Sequence, residues 1–327
     1  MTDKELEEIS QLMSKDFPNM DIKIKDNFIQ KAYESELFNN ISSAKNWYEM
    51  FKRNIVEIDE LTYLNASIQA LKIQFSMAGT DYGSSRQRDL GQKWSDTIRG
   101  YLGEFAFKIF CNTKYNLEIE LGHEDGELED FINSDIKKIK LNTEKEFRDP
   151  KLNVSIKTTK SNGAWLDIPG DQYNHSDIFI LVQLGIDINH LFSYFKTLDF
   201  FKDSLLKKGV ENKILTNDEA IAINTKIPSF KKIYAYFPGF IIKEQKFIDN
   251  FEYKGKKGRK HYKIFDYQGK LNQDLLKKIR KKEKLPKDGK IQFIGIGSFS
   301  DTDRHIFGLK SLKKSNQEWL DSIFNKL

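Results

Sequence analysis

The almost entirely apolar run IFILVQL, at residues 178–184, constrains the fold of this chain more than any other segment. Its length is that of a strand, and it lacks the alternation of polar and apolar residues that a half-exposed strand shows. A strand that is apolar on both sides has to be covered on both faces, so we expect it at the centre of a sheet. The run is also far too short to span a bilayer.

The hydrophobic pattern changes its period along the chain. In the first hundred residues apolar side chains recur every three to four positions, which predicts helices at residues 4–13, 28–38, 44–55, 61–77 and 88–111. From about residue 117 the pattern becomes typical of strands. The predicted strands are residues 117–121, 135–141, 152–158, 178–184, 233–237 and 291–296.

These elements predict a mixed α/β (α+β) fold, in which helices flank a mixed central sheet. The length of 327 residues suits two domains or one large domain with an appended lobe. We divide the chain into a helical N-terminal lobe (1–95), an α/β core (96–230) and a basic C-terminal lobe (231–327). The N-terminal sequence MTDKELEEIS is not typical of a signal peptide, so we expect a soluble cytoplasmic protein.

The net charge of +5 is distributed unevenly. Residues 116–135 contain eight acidic residues and no lysine or arginine, whereas residues 231–290 contain nineteen lysines and arginines against seven acids. This asymmetry favours a polyanionic partner such as nucleic acid, with a metal ion beside it. The alternative is a solvated lysine-rich face, because lysine outnumbers arginine by 45 to 8 along the whole chain.

Arginines are rare in this chain, so their positions carry information. Six basic residues are expected to bind DNA: Arg86, Arg88, Lys256, Lys257, Arg259 and Lys260. Lysines mostly hold phosphates, while arginine is the commonest reader of guanine. Gly255 and Gly258 predict a flexible basic loop that orders on DNA, and KKIRKKEK at residues 277–284 predicts a helix along the phosphate backbone. A solvated hairpin tip is the alternative.

One set of residues stands above this background. Glu104 lies in the predicted helix 88–111, Asp135 opens a strand, and Lys157 follows 22 residues later in the strand sequence VSIKTT. The segment WLDIP, which we interpret as a turn, then leads to the apolar run. This order resembles the PD-(D/E)xK nuclease superfamily, and within it the type II restriction endonucleases. The resemblance covers roughly residues 100–184.

The resemblance implies a restriction-endonuclease-like core in residues 96–230 and Mg²⁺-dependent hydrolysis of phosphodiester bonds in double-stranded DNA at a specific sequence. Asp135 would be the principal Mg²⁺ ligand, helped by Glu104 and the carbonyl oxygen of Ile156. Lys157 would orient the attacking water and stabilise charge on the phosphate. The resemblance also implies a homodimer and a cognate DNA methyltransferase that acts in the same system without physical contact.

The chain departs from the family at Ser155, where an aspartate or glutamate usually stands two residues before the lysine. Glu104 is expected to replace that acid. A second registration would use Asp125 with the D-x-K of Asp135 and Lys137, and ordinary strand-end residues are a further alternative. Ser155 also keeps a different class open, a weakened or inactive DNA-binding protein on the nuclease fold. A repair or modification-dependent nuclease and an RNA-processing or RNA-binding protein are the remaining alternatives.

Overall fold

The computed structural model describes residues 1–73, 89–122, 134–244, 251–258, 261–286, 289–294 and 303–327. The predicted helices of the first hundred residues are present with shifted ends, and a short unpredicted strand lies among them. These elements are α1 (Asp3–Asp16), α2 (Ile22–Glu34), α3 (Ile41–Arg53), β1 (Ile55–Ile58), α4 (Glu60–Ile73) and α5 (Leu90–Tyr115). Among the described residues, no helix combines the length and the apolar character that a membrane span requires.

The remaining chain alternates strands with short helices. The strands are β2 (Leu117–Leu121), β3 (Ile136–Leu141), β4 (Val154–Lys160), β5 (Trp165–Pro169), β6 (Ile178–Gly185), β7 (Ile233–Ile242), β8 (Phe251–Lys257), β9 (His261–Leu271), β10 (Lys290–Phe293) and β11 (Arg304–Gly308). The helices are α6 (Gly170–Tyr173), α7 (His190–Phe195), α8 (Lys207–Glu211), α9 (Asn217–Lys226), α10 (Gln273–Lys282) and α11 (Asn316–Trp319). Segments Phe200–Leu206 and Leu320–Phe324 are π-helical, and Leu309–Ser311 is a 3₁₀ turn.

The central sheet has the strand order β1-β7-β6-β4. β4 pairs with β6 in parallel, whereas β6 with β7 and β7 with β1 are antiparallel, so the sheet is mixed. Every residue of β6 is buried, as the apolar run predicts. The mixed α/β class and the central position of this strand are therefore confirmed.

Different layers cover the two faces of this sheet. On one face α4, α5 and the C-terminal helical turns pack against side chains such as Ile156 and Ile180. On the other face α1, α2 and α3 pack against Tyr234 and Tyr236, and a second sheet packs against Phe179 and Leu181. Alternation along each strand sends its neighbouring side chains to opposite layers, which is why β6 is apolar at nearly every position.

The second sheet has the order β10-β9-β11-β5, with β8 paired to β9. WLDIP, predicted to be a turn, is strand β5: Leu166 and Ile168 lie in the core of this layer, and Asp167 lies between them. Gly255, predicted to lie in a flexible loop, lies inside β8. A side chain there would overlap the Tyr262 ring across the ladder, so its role is close packing at a β-bulge.

The sheets join the three segments predicted from the sequence. β1 from the first segment and β7 from the third pair within the central sheet. β5 from the middle segment pairs with β11 in the second sheet. β2 and β3 form a separate antiparallel hairpin beside α5. The C-terminal strands are therefore part of the same packed body that holds the predicted site.

Candidate active site

Helix α5 brings Glu104 to β4. The helix begins at the N-cap Asp89, ends at Asn116 in a left-handed conformation, and buries a stripe that includes Leu102 and Ala106. Gly103 faces Thr158 of β4 so closely that a methyl group there would overlap the threonine side chain. The absence of a side chain at residue 103 thus permits this close approach, and the next residue, Glu104, lies at the contact.

Asp135 is held against the free edge of β4. Its backbone N–H donates to the carbonyl of Val154 at 2.8 Å, and its Oδ2 accepts the N–H of Ile156 at 2.5 Å. Because the N–H and C=O of one residue in a strand point to the same side, the Ile156 carbonyl also lies on the side of Asp135. Ser134 strengthens this junction by accepting the Val154 N–H through Oγ at 3.1 Å.

Lys157 lies on the same strand, on the face opposite Ile156. Its Nζ donates a hydrogen bond of 2.6 Å to Oε1 of Gln172, which lies in α6. Ser155, two residues earlier on that face, is buried with an exposed fraction of 6%. The position at which the nuclease family usually carries its second acid is therefore occupied here by a small, enclosed hydroxyl.

The charges of the three predicted residues act on one another. Burial raises the pKa of Glu104 well above its usual range; the charge of Asp135 adds to this, and Lys157 opposes it. Burial also raises the pKa of Asp135, against the opposing effects of Lys157 and the Ile156 N–H. Burial lowers the pKa of Lys157, while the charges of Asp135, Glu104 and Asp167 raise it. The site is thus an interacting group of two acids and one base.

The structure brings Glu104, Asp135, Ile156 and Lys157 together, as the order of the motif predicts. Lys137, the base of the second registration, is exposed on β3. Asp125 of that registration lies outside the described residues. Of the residues expected to bind DNA, Lys256 and Lys257 are exposed on β8, and Lys257 Nζ donates to the carbonyl of Lys284 at 3.3 Å. Arg86, Arg88, Arg259 and Lys260 also lie outside the described residues.

Sequence reasoning gave no role beside Lys157 to three residues on that side of β4. Gln172 holds the ammonium group, Asp167 acts on it electrostatically, and Arg304 of β11 pairs with Asp167 at 2.5 Å. The alternation of Leu166, Asp167 and Ile168 is a strand pattern, and it was the available signal for Asp167. Nothing in the sequence marks Gln172 or Arg304, because tertiary packing alone places them here.

The donor set suits a hard divalent cation with few protein ligands. Within the described ranges, no three histidine, cysteine, aspartate or glutamate side chains group as metal ligands. The site offers two carboxylates, from Glu104 and Asp135, and the Ile156 carbonyl. Mg²⁺ characteristically binds through one or two carboxylates, retains several waters and takes further oxygens from a phosphate substrate. Two adjacent, half-buried carboxylates that repel each other also favour a bound cation.

Comparison with other proteins gives no relative from which a role can be carried over. No protein-family model, curated protein or solved structure matches this chain. A function is therefore inferred from the residues of the site and their geometry.

Proposed function

We propose that this protein is a Mg²⁺-dependent, sequence-specific endonuclease of double-stranded DNA, of the type II restriction class. The observation that carries the proposal is the convergence of Glu104, Asp135 and Lys157 at the free edge of β4. Burying two acids beside each other is unfavourable for folding, and perturbed ionisable groups cluster at functional sites. The same side chains are those required to hydrolyse a phosphodiester.

Each residue has a role that follows from its position. Glu104, Asp135 and the Ile156 carbonyl would hold Mg²⁺, which when bound supplies positive charge to the phosphate and lowers the pKa of a bound water. The Ile156 N–H fixes the orientation of the Asp135 carboxylate. Lys157 would donate a hydrogen bond to a non-bridging phosphate oxygen or to the attacking water, and so stabilise the charge that develops in the transition state.

The C-terminal basic surface supports a DNA substrate. α10 buries Ile279 and exposes the five basic residues Lys277, Lys278, Arg280, Lys281 and Lys282. The lysines of β8 lie in the same sheet as β5 and β11, which reach the Lys157 side of the site. Such a surface would bind the phosphates of a duplex and release their counterions. Sequence readout would then be added by arginines such as Arg259.

A homodimer and a partner enzyme complete the proposal. One site cuts one strand, so a double-strand break at a pseudo-palindromic sequence is expected to use two copies related by a twofold axis. A cognate DNA methyltransferase would protect host DNA in the same system without contacting the nuclease.

Cleavage of a sequenced plasmid tests the proposal. The wild-type protein should produce defined ends in Mg²⁺ and none in EDTA, and end mapping gives the target sequence. Lys157→Met should abolish cleavage, whereas Lys137→Met, a matched change at the exposed lysine of β3, should cut at the wild-type rate. Failure of the wild-type protein to cut any plasmid, or wild-type cleavage by Lys157→Met, would contradict the proposal.

Ser155 supports a second candidate, a DNA-binding protein that has lost cleavage on the same scaffold. A buried hydroxyl is a poor substitute for a carboxylate in holding Mg²⁺. In that case the wild-type protein would bind duplex DNA with a steep salt dependence and leave it intact at every Mg²⁺ concentration. The plasmid assay separates the two candidates directly.

A further inference from the structure

The Lys157 side of β4 is covered by the second sheet, which brings a polar group to the lysine. Gln172 follows β5 in the short helix α6, and its Oε1 accepts the hydrogen bond from Lys157 Nζ. Gly170, at the start of α6, donates its N–H to the carbonyl of Asp303, next to β11. The position of Gln172 is therefore set by both β5 and the segment that enters β11.

Asp167 is a second group on this side. Burial raises the pKa of Asp167, and the charges of Arg304 and, more weakly, Lys157 oppose that rise. Oδ2 pairs with Nη1 of Arg304 at 2.5 Å. Oδ1 is buried and has no hydrogen-bond partner among the described residues. Asp167 is thus a second negative group that acts on the Lys157 ammonium, and Arg304 occupies one of its oxygens.

We propose that Gln172 and the Arg304–Asp167 pair are positioning residues that hold Lys157 Nζ at the catalytic edge of β4. This inference rests on the proposed nuclease function. A lysine side chain has several rotatable bonds, so its ammonium group needs an acceptor to stay in one place. Gln172 supplies a neutral acceptor. Arg304 partly neutralises Asp167 and thereby prevents that carboxylate from drawing Lys157 away from Asp135 and Glu104.

Variants of Gln172 test the first half of the proposal. Gln172→Met keeps the side-chain length but removes the acceptor, and should lower the single-turnover cleavage rate by roughly ten- to hundredfold. Binding of duplex DNA in Ca²⁺ should stay unchanged, because Gln172 acts only through Lys157. Gln172→Glu retains an acceptor oxygen but adds a negative charge at the Lys157 ammonium, so it should hold Lys157 away from Asp135 and Glu104 and should also cut more slowly than the wild-type protein. Gln30→Met, at an exposed glutamine of α2, is the matched control.

A double-mutant cycle tests the second half. Arg304→Met frees the Asp167 carboxylate and should slow cleavage, while Arg304→Met combined with Asp167→Asn should restore most of the rate. Melting curves of the same variants separate positioning from folding, because Asp167→Asn also removes the unpaired charge that Arg304→Met leaves behind; the rate should be restored by more than the change in stability accounts for. An additive cycle, or a Gln172→Met variant that cuts at the wild-type rate, would overturn the proposal.

An NMR measurement on the Lys157 ammonium group tests this inference without requiring that the protein cuts DNA. A hydrogen-bonded, partly buried ammonium group exchanges its protons slowly, so Lys157 should give a ¹⁵N-resolved signal that Lys157→Met identifies by its loss. The signal should also disappear in Gln172→Met and persist in Gln30→Met. If the Lys157 signal persists in Gln172→Met, the inference is overturned, whether or not the protein cuts DNA. If the signal is lost in Gln172→Met and the wild-type protein cuts no DNA, the contact between Gln172 and Lys157 is supported and only the nuclease function is refuted.

Discussion

Gly103 of α5 lies directly against Thr158 of β4, with no space for even one methyl group between them. The helix can therefore approach the strand as closely as its backbone allows, and Glu104 lies near Asp135 and Lys157 because of that approach. Gly100, three residues earlier on the same helix, faces open space instead. Replacing each glycine with alanine therefore separates two effects. At Gly100 alanine changes only the helix propensity, whereas at Gly103 it also changes the packing of α5 against β4.

Gly103→Ala should push α5 away from β4, lower the thermal stability and slow cleavage, because Glu104 moves with its helix. Gly100→Ala should be neutral or stabilising by up to about 1 kcal/mol, since alanine favours a helix and meets no neighbour there. Differential scanning calorimetry and a plasmid assay on both variants check this expectation. Equal behaviour of the two variants would show that the contact with Thr158 does not position the site.

Asp135→Asn should abolish cleavage and leave duplex binding in Ca²⁺ measurable. Asparagine keeps an oxygen that can accept the Ile156 N–H, so the backbone junction with β4 survives while the charge is removed. Gel-shift and single-turnover assays on the same preparation measure both quantities. If this variant cuts at the wild-type rate, Asp135 is not part of the active site and the active site is not at the edge of β4.

Glu104→Gln should be nearly as damaging to cleavage as Asp135→Asn, and Ser155→Ala should be mild. Burial and the neighbouring Asp135 raise the pKa of Glu104, so its ionised form destabilises the fold at neutral and alkaline pH. The neutral glutamine should therefore raise the melting temperature at pH 8 while cleavage is lost. Cleavage rates over several Mg²⁺ concentrations, with melting curves, check this; a rate equal to wild type would remove Glu104 from the site.

Ser155→Glu should not restore the common family arrangement. The serine side chain is buried, so a glutamate there would need space and would place a third acid beside Glu104 and Asp135. We expect lower thermal stability and no gain in cleavage, measured in the same assays as for Glu104→Gln. A faster enzyme would show that β4 can accept the acid at its usual position.

Replacing the exposed lysines Lys256 and Lys257 with alanine should weaken binding to every duplex sequence. For each phosphate that these lysines neutralise, the slope of log K against log salt should decrease by roughly one unit in the double variant. The matched control is the pair Lys207→Ala and Lys208→Ala, which removes the same charge from exposed positions on helix α8. Identical salt slopes in the two double variants would place DNA away from β8.

His305→Phe should make stability less sensitive to acid. Burial and the charge of Lys270 lower the pKa of His305 to about 4, and its ring stacks on Tyr173 with centroids 3.7 Å apart. The unfolded chain protonates this histidine below about pH 6.5, so folded stability falls as the pH decreases from about 6.5 towards 4, by roughly 1 kcal/mol per unit. Melting curves across this range should be flatter for His305→Phe, and unchanged for the exposed control His175→Phe.

Sequence patterns alone predicted the central strand of the sheet, the helix that carries Glu104 and the residues that are candidates for chemistry. The apolar run predicts β6 as a buried central strand, because only a strand covered on both faces tolerates that composition. The helical period predicts α5 and places Glu104 on it, and strand positions predict Asp135 and Lys157. These signals can be found in the sequence because they depend on the spacing of residues that are close together in the chain.

The groups that surround those residues are set by tertiary packing. Gln172 and Arg304 reach the Lys157 side because β5 and β11 pair in a second sheet, and no local pattern encodes the pairing of strands so far apart in the chain. The terminal proline of WLDIP favours a turn, yet packing of Leu166 and Ile168 makes this segment a strand. Burial is the largest cause of the shifted pKa values of Glu104, Asp135 and Lys157. This burial also depends on tertiary packing, because elements far apart in the chain pack around the same edge of β4.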